Sequence, residues 1–100
     1  MMSSHSILVN AIQQKVIIVF TYEDKLREVE PYVYGINEAG HEVLSAYQVD
    51  GESRSKLPDW KTFHVDKMIG LHLTTYPIHP AGRGYNPNDK LFKTIFAKIT

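Results

Sequence analysis

Trp60-Lys61-Thr62-Phe63-His64-Val65-Asp66-Lys67-Met68-Ile69 alternates basic or polar residues with apolar ones. A strand of that period sends its basic side chains to one face and its apolar ones to the other. One face then packs a small sheet core, and the other offers positive charge to an anion. Just upstream, residues 41–49 read as another strand, followed by Asp50-Gly51 and a polar loop that carries Arg54 and Lys56. Downstream, residues 68–75 read as a further strand.

The rest of the chain is organised around these strands. Ser3 and Ser4 are helix-capping residues, and Ile7, Leu8, Ala11 and Ile12 recur at helical spacing, so a helix is predicted over about 4–15. Residues 16–22 are β-branched and aromatic and predict a strand. A short turn at Glu23-Asp24-Lys25 leads into a second, bent strand over 26–36. Its Pro31 marks an edge or a bulge, because proline has no donor for a ladder. Tyr32 and Tyr34 share one face of that strand. Pro77, Pro80, Gly82, Gly84 and Pro87 make residues 76–87 an irregular crossing. Asn88 or Asp89 then caps a terminal helix over about 88–99, with Leu91, Phe92, Ile95, Phe96 and Ile99 as its apolar stripe. The predicted fold is an all-β core with flanking helices: five short antiparallel strands in a bent barrel over 16–75, in a single domain.

Eleven basic and eleven acidic residues cancel over the 100-residue chain. Residues 1–50 hold three Lys/Arg against seven Asp/Glu, and residues 51–100 hold eight against four. Bulk nucleic-acid binding is therefore not indicated, but a local basic patch is. The absence of cysteine excludes disulfides, thiol chemistry and Cys-containing zinc sites. The N-terminus lacks the basic start of a signal peptide, and the longest apolar run, 16–20, is too short to span a bilayer. A cytoplasmic protein is the expectation.

Five ordered pieces carry a family resemblance: Ala11-Ile12; Tyr22; Arg27-Glu28-Val29-Glu30-Pro31; Gly40 followed by Leu44-Ser45-Ala46-Tyr47; and Lys61-Thr62-Phe63-His64-Val65-Asp66-Lys67-Met68. In this order they resemble the WYL domain over residues 11 to about 74. The resemblance implies an SH3-like, Sm-type barrel. It also implies a sensor module of bacterial transcription regulators that binds nucleic acid or nucleotide-like anions through clustered basic and polar residues. The chain departs from the family pattern in two respects. Its naming tripeptide is Glu42-Val43-Leu44 here, and the usual arginines around the Phe are Lys61 and His64. Lysine keeps the charge and loses the planar fork that grips phosphate at two points.

The candidate ligand-binding residues are Arg27, Lys61, His64 and Lys67 for charge, Tyr22 and Tyr47 as pocket walls, and Arg54 and Lys56 on the loop. Lys61 and His64 have odd spacing, so a flat strand separates them and only a bend or bulge reunites them. The five histidines show no metal-ligand spacing. A triad of Ser45, His64 and Asp50 or Asp66 lacks a nucleophile elbow, and the Gly82-Arg83-Gly84 turn lacks the Lys-Ser/Thr of a P-loop. The reading is a non-enzymatic binding module for a negatively charged ligand such as single-stranded nucleic acid or a nucleotide, with no cofactor. The alternative is a protein–protein or homodimerisation domain that uses the barrel edge or the terminal helix.

Overall fold

The computed structural model describes residues 3–51, 59–85 and 90–100. Its elements are helix α1 (Ser4–Gln14) and strands β1 (Val16–Tyr22), β2 (Lys25–Asn37), β3 (Glu42–Gly51), β4 (Asp59–His64), β5 (Ile69–Pro77) and β6 (Phe92–Lys98). A 3-10 turn, Val65–Lys67, separates β4 from β5. All pairings are antiparallel, in the order β4-β3-β2-β1-β5, with β6 added to β2. Among the described residues no helix is long and apolar enough to cross a membrane.

Local chemistry accounts for the first half. The Ser3 side chain accepts a bond from the Ser6 N–H at 3.1 Å, which starts α1, and Lys15 ends it in the left-handed region at φ 58°. Leu8, Ala11 and Ile12 form its buried stripe. Tyr22 pairs with Lys25 across Glu23 and Asp24, at φ 53° and 63°, the conformation of a two-residue hairpin turn that matches strand twist.

β2 is the centre of the molecule. One side pairs with β3 along nearly its whole length. The other side pairs with β1 up to Val29 and with β6 from Val33 onward. Pro31 sits in the gap between these partners, where β2 also bulges against β3, so a residue without a backbone donor fits there. Tyr32 and Tyr34 are both fully buried, but in separate surroundings. Tyr32 meets Trp60 and Tyr85, while Tyr34 meets His5 and Phe96.

The C-terminal segment corrects the sequence expectation. Residues 92–98 are a strand, not a helix, and the sheet has six strands rather than five. Thr94, Ile95 and Phe96 are β-branched or aromatic, and a short apolar run fits either period. The unpaired half of β2 decides the matter by offering backbone hydrogen bonds to a strand. Gly35 permits the approach: a Cβ there would lie 2.0 Å from the Thr94 carbonyl oxygen. Ile99 then turns into the core, and its N–H bonds the Tyr32 carbonyl at 2.9 Å.

Candidate anion-binding site

The continuous register of β3 and β4 assigns side chains to faces. Leu44 lies opposite Phe63, Ala46 opposite Lys61, and Gln48 opposite Asp59. Val29 of β2 pairs with Gln48, and Arg27, two residues earlier, shares its face. Phe20 lies opposite Arg27 on β1, and Tyr22 follows on the same face. Sheet geometry therefore gathers Tyr22, Arg27, Gln48, Lys61 and Phe63 on one face.

Within that group the Arg27 guanidinium is only 5% exposed. Its Nη1 donates to Gln48 Oε1 at 3.3 Å, and its Nη2 to the Tyr22 carbonyl at 3.2 Å. Glu23 Oε1 lies 3.7 Å from Nη2, but that carboxylate is 61% exposed and offers little compensation. The cation sits 5.7 Å from the ring centres of both Tyr22 and Phe63, within cation–π range. Its Nε is buried and has no hydrogen-bond partner among the described residues. A buried charged donor left unmade is costly, and such groups are normally matched by an acceptor.

The other candidates are distributed differently. The His64 backbone N–H bonds the Tyr22 hydroxyl at 3.0 Å, but β4 has no bulge to reunite His64 with Lys61. The His64 ring instead meets His41 edge-on at 5.4 Å. Tyr47 also lies on the opposite face, against Trp60. Lys67 is exposed on the 3-10 turn. Arg54 and Lys56 lie outside the described residues. The structure thus brings Tyr22 and Arg27 together on the Lys61 face, and separates Tyr47 and His64 from them.

The opposite face contains a buried ion pair that sequence reasoning missed. Glu30 is fully buried. Its carboxylate accepts from Arg83 Nε at 3.1 Å and Nη2 at 3.3 Å, from Tyr32 Oη at 2.7 Å and from the His79 N–H at 2.8 Å. The Arg83 guanidinium also stacks 4.5 Å above Tyr47, and its carbonyl accepts from Trp60 Nε1 at 2.6 Å. The bonds to Glu30 raise the Arg83 pKa further. Burial, reinforced by Glu30, drives the Tyr32 pKa well above the ordinary tyrosine range. Arg83 is thereby a tie that holds residues 78–85 against β2, β3 and β4. The available signal was Glu30 itself, an acid between the apolar residues of a central strand.

A third polar group lies at the start of α1. Tyr34 donates its hydroxyl hydrogen to Glu42, so His5 Nδ1, 3.0 Å from the same oxygen, must be the donor in that contact. Among the described residues no cluster of three or more His, Asp or Glu has the arrangement of a metal site. No protein-family model, curated protein or solved structure matches the chain.

Proposed function

We propose that this chain is a non-enzymatic binding module for a negatively charged ligand, such as single-stranded nucleic acid or a nucleotide, in the manner of an SH3-like WYL domain from a transcription regulator. One observation carries the reading: the Arg27 guanidinium is buried beside the Tyr22 and Phe63 rings, and among the described residues its Nε has no hydrogen-bond partner. An anion oxygen is the natural acceptor for that donor. Lys61 lies on the same sheet face, level with Ala46 and not with the Gly51 level of Arg27. The antiparallel sheet and the ordered motif residues agree with the family resemblance.

The test is a salt titration with short oligothymidylate and with ATP. Binding weakens steeply as salt rises, and removing one phosphate contact with Lys61→Ala lowers the single-strand salt slope by about 0.7. Arg27→Lys keeps the charge and loses the fork, and weakens binding by about tenfold. Failure of both probes to bind at low salt refutes the proposal.

Exposed Ile95 and Phe96 on β6, at 40% and 39%, favour a second reading, contact with a protein partner through a sheet edge.

A further inference from the structure

Three residues of neighbouring strands stand in one row on the face that carries Glu30. Val33 of β2 pairs with Ser45 of β3, and Ser45 pairs with Thr62 of β4. Directly paired residues send their side chains to the same side, with Cβ atoms about 5 Å apart. Two residues along both strands Tyr47 pairs with Trp60, so the indole rises from the same face beside this row. The crossing segment returns over the sheet at Gly84 and Tyr85. Together they form a cleft of about 310 Å³, with Val33, Ser45 and Thr62 as its floor and Trp60, Gly84 and Tyr85 as its walls.

The walls are held in place. Trp60 Nε1 donates to the Arg83 carbonyl, and Tyr85 Oη donates to the Ile99 carbonyl at 3.1 Å. Tyr32 and Tyr47 pack against Trp60 with ring centres 4.9 and 5.5 Å away, and Tyr85 lies nearly parallel to it, with 20° between the planes. With their polar ends occupied, the rings offer the cleft apolar surface. The floor is different. Ser45 is half-buried and Thr62 exposed, and among the described residues neither hydroxyl has a hydrogen-bond partner. Each is both donor and acceptor. Among the described residues no carboxylate or guanidinium lines the cleft. Lys61 borders it, but its side chain, opposite Ala46, belongs to the other face.

This chemistry selects a ligand. A phosphate finds no guanidinium fork here. A nucleobase carries fixed donors and acceptors that side-chain amides match best. A sugar ring carries hydroxyls that are donor and acceptor at once, like those of Ser45 and Thr62. Its C–H faces bear a small positive charge, which suits the negative face of an aromatic ring. The volume lies at the lower end for small-molecule sites and admits one ring. We infer that this cleft binds a single uncharged pyranose, with a C–H face against Trp60 and two ring hydroxyls on Ser45 and Thr62. The site lies on the sheet face opposite Arg27 and goes beyond the anion reading.

Trp60 is the single tryptophan of the chain, so its fluorescence reads the cleft directly. The probes are the methyl pyranosides of glucose, galactose, mannose and N-acetylglucosamine, with N-acetyltryptophanamide as the control for solvent effects. At least one is expected to give a saturable change with a Kd of about 1–10 mM. Ser45→Ala with Thr62→Val removes both hydroxyls and keeps the aromatic wall. It should weaken binding about tenfold, and each single variant about threefold, so the test stands on the single variants if the double does not fold. No saturable change below about 100 mM, undiminished affinity in the variants, or tighter binding of uridine than of any sugar would each overturn the inference. The sugars are uncharged, so their binding is expected to be indifferent to salt, whereas the anion reading requires a salt slope. The two proposals therefore fail independently.

Discussion

Arg27 and Arg83 are the two arginines in the described residues, and they differ in how fully they are matched. Arg83 meets the buried Glu30 carboxylate at two nitrogens, rests on Tyr47 and lends its carbonyl to Trp60. Arg27 is more deeply buried, yet its bonds go to a neutral amide and a carbonyl, and among the described residues its ion-pair partner Glu23 is exposed and its Nε has no acceptor. A guanidinium gripped side-on by a buried carboxylate holds the fold together. One left incomplete beside aromatic rings is where an outside anion gains most. The sequence pointed to Arg27 as an anion ligand and set the Gly82-Arg83-Gly84 turn aside, and the identity of their neighbours is what separates a structural tie from a candidate site.

The largest test of the contrast is at the paired arginine. Arg83→Met leaves Glu30 buried with only Tyr32 and the His79 N–H, and should cost about 3–5 kcal/mol in urea unfolding. The double variant Glu30→Met with Arg83→Met should recover most of that loss, because neither charge is then stranded. A single-variant cost under about 1 kcal/mol would remove Arg83 as a tie.

Arg27→Met should cost less, about 1 kcal/mol, since it removes two hydrogen bonds together with an unmatched donor. Its informative readout is linkage. Nucleotide raises the melting temperature of the wild type and leaves that of Arg27→Met unchanged. Equal stabilisation of both proteins would place the anion elsewhere.

A smaller effect comes from two buried tyrosines, Tyr32 beside the Glu30–Arg83 pair and Tyr34 beside Glu42. Burial first, and then the neighbouring Glu30 or Glu42, raises the pKa of Tyr32 and Tyr34 above the ordinary value of 10.0. A raised folded-state pKa means that the native state holds the proton more tightly than the unfolded chain. The stabilisation is therefore complete below pH 10 and is lost as pH climbs beyond it. Melting temperatures across the alkaline range should fall in this window, and Tyr32→Phe should flatten part of the fall. A fall beginning well below pH 10 would assign the alkaline sensitivity to other groups.

Much of the fold was legible because its signals are local. Ser3 or Ser4 as cap and the Ile7-Leu8-Ala11-Ile12 stripe marked α1, the β-branched run marked β1, and Pro31 marked an edge or a bulge, of which the structure has the bulge. The β4 alternation misled: Lys61 shares its face with the buried Phe63 and His64 lies on the other, so the basic residues do not line one face. The site was legible in part. Tyr22 and Arg27 do meet, but Tyr47 belongs to the Glu30–Arg83 face. Local spacing could not show this, because the partners are 53 residues apart in the chain.

By itself, the sequence determined which segments start and stop, and which side chains alternate along each strand. Capping, turn conformation and β-branching act within a few residues. Only the tertiary structure decided that residues 92–98 are a strand and that Glu30 is matched by Arg83 while Arg27 Nε is left over. Those outcomes depend on which backbone edge and which buried charge lack a partner, and that becomes defined only when distant segments pack together.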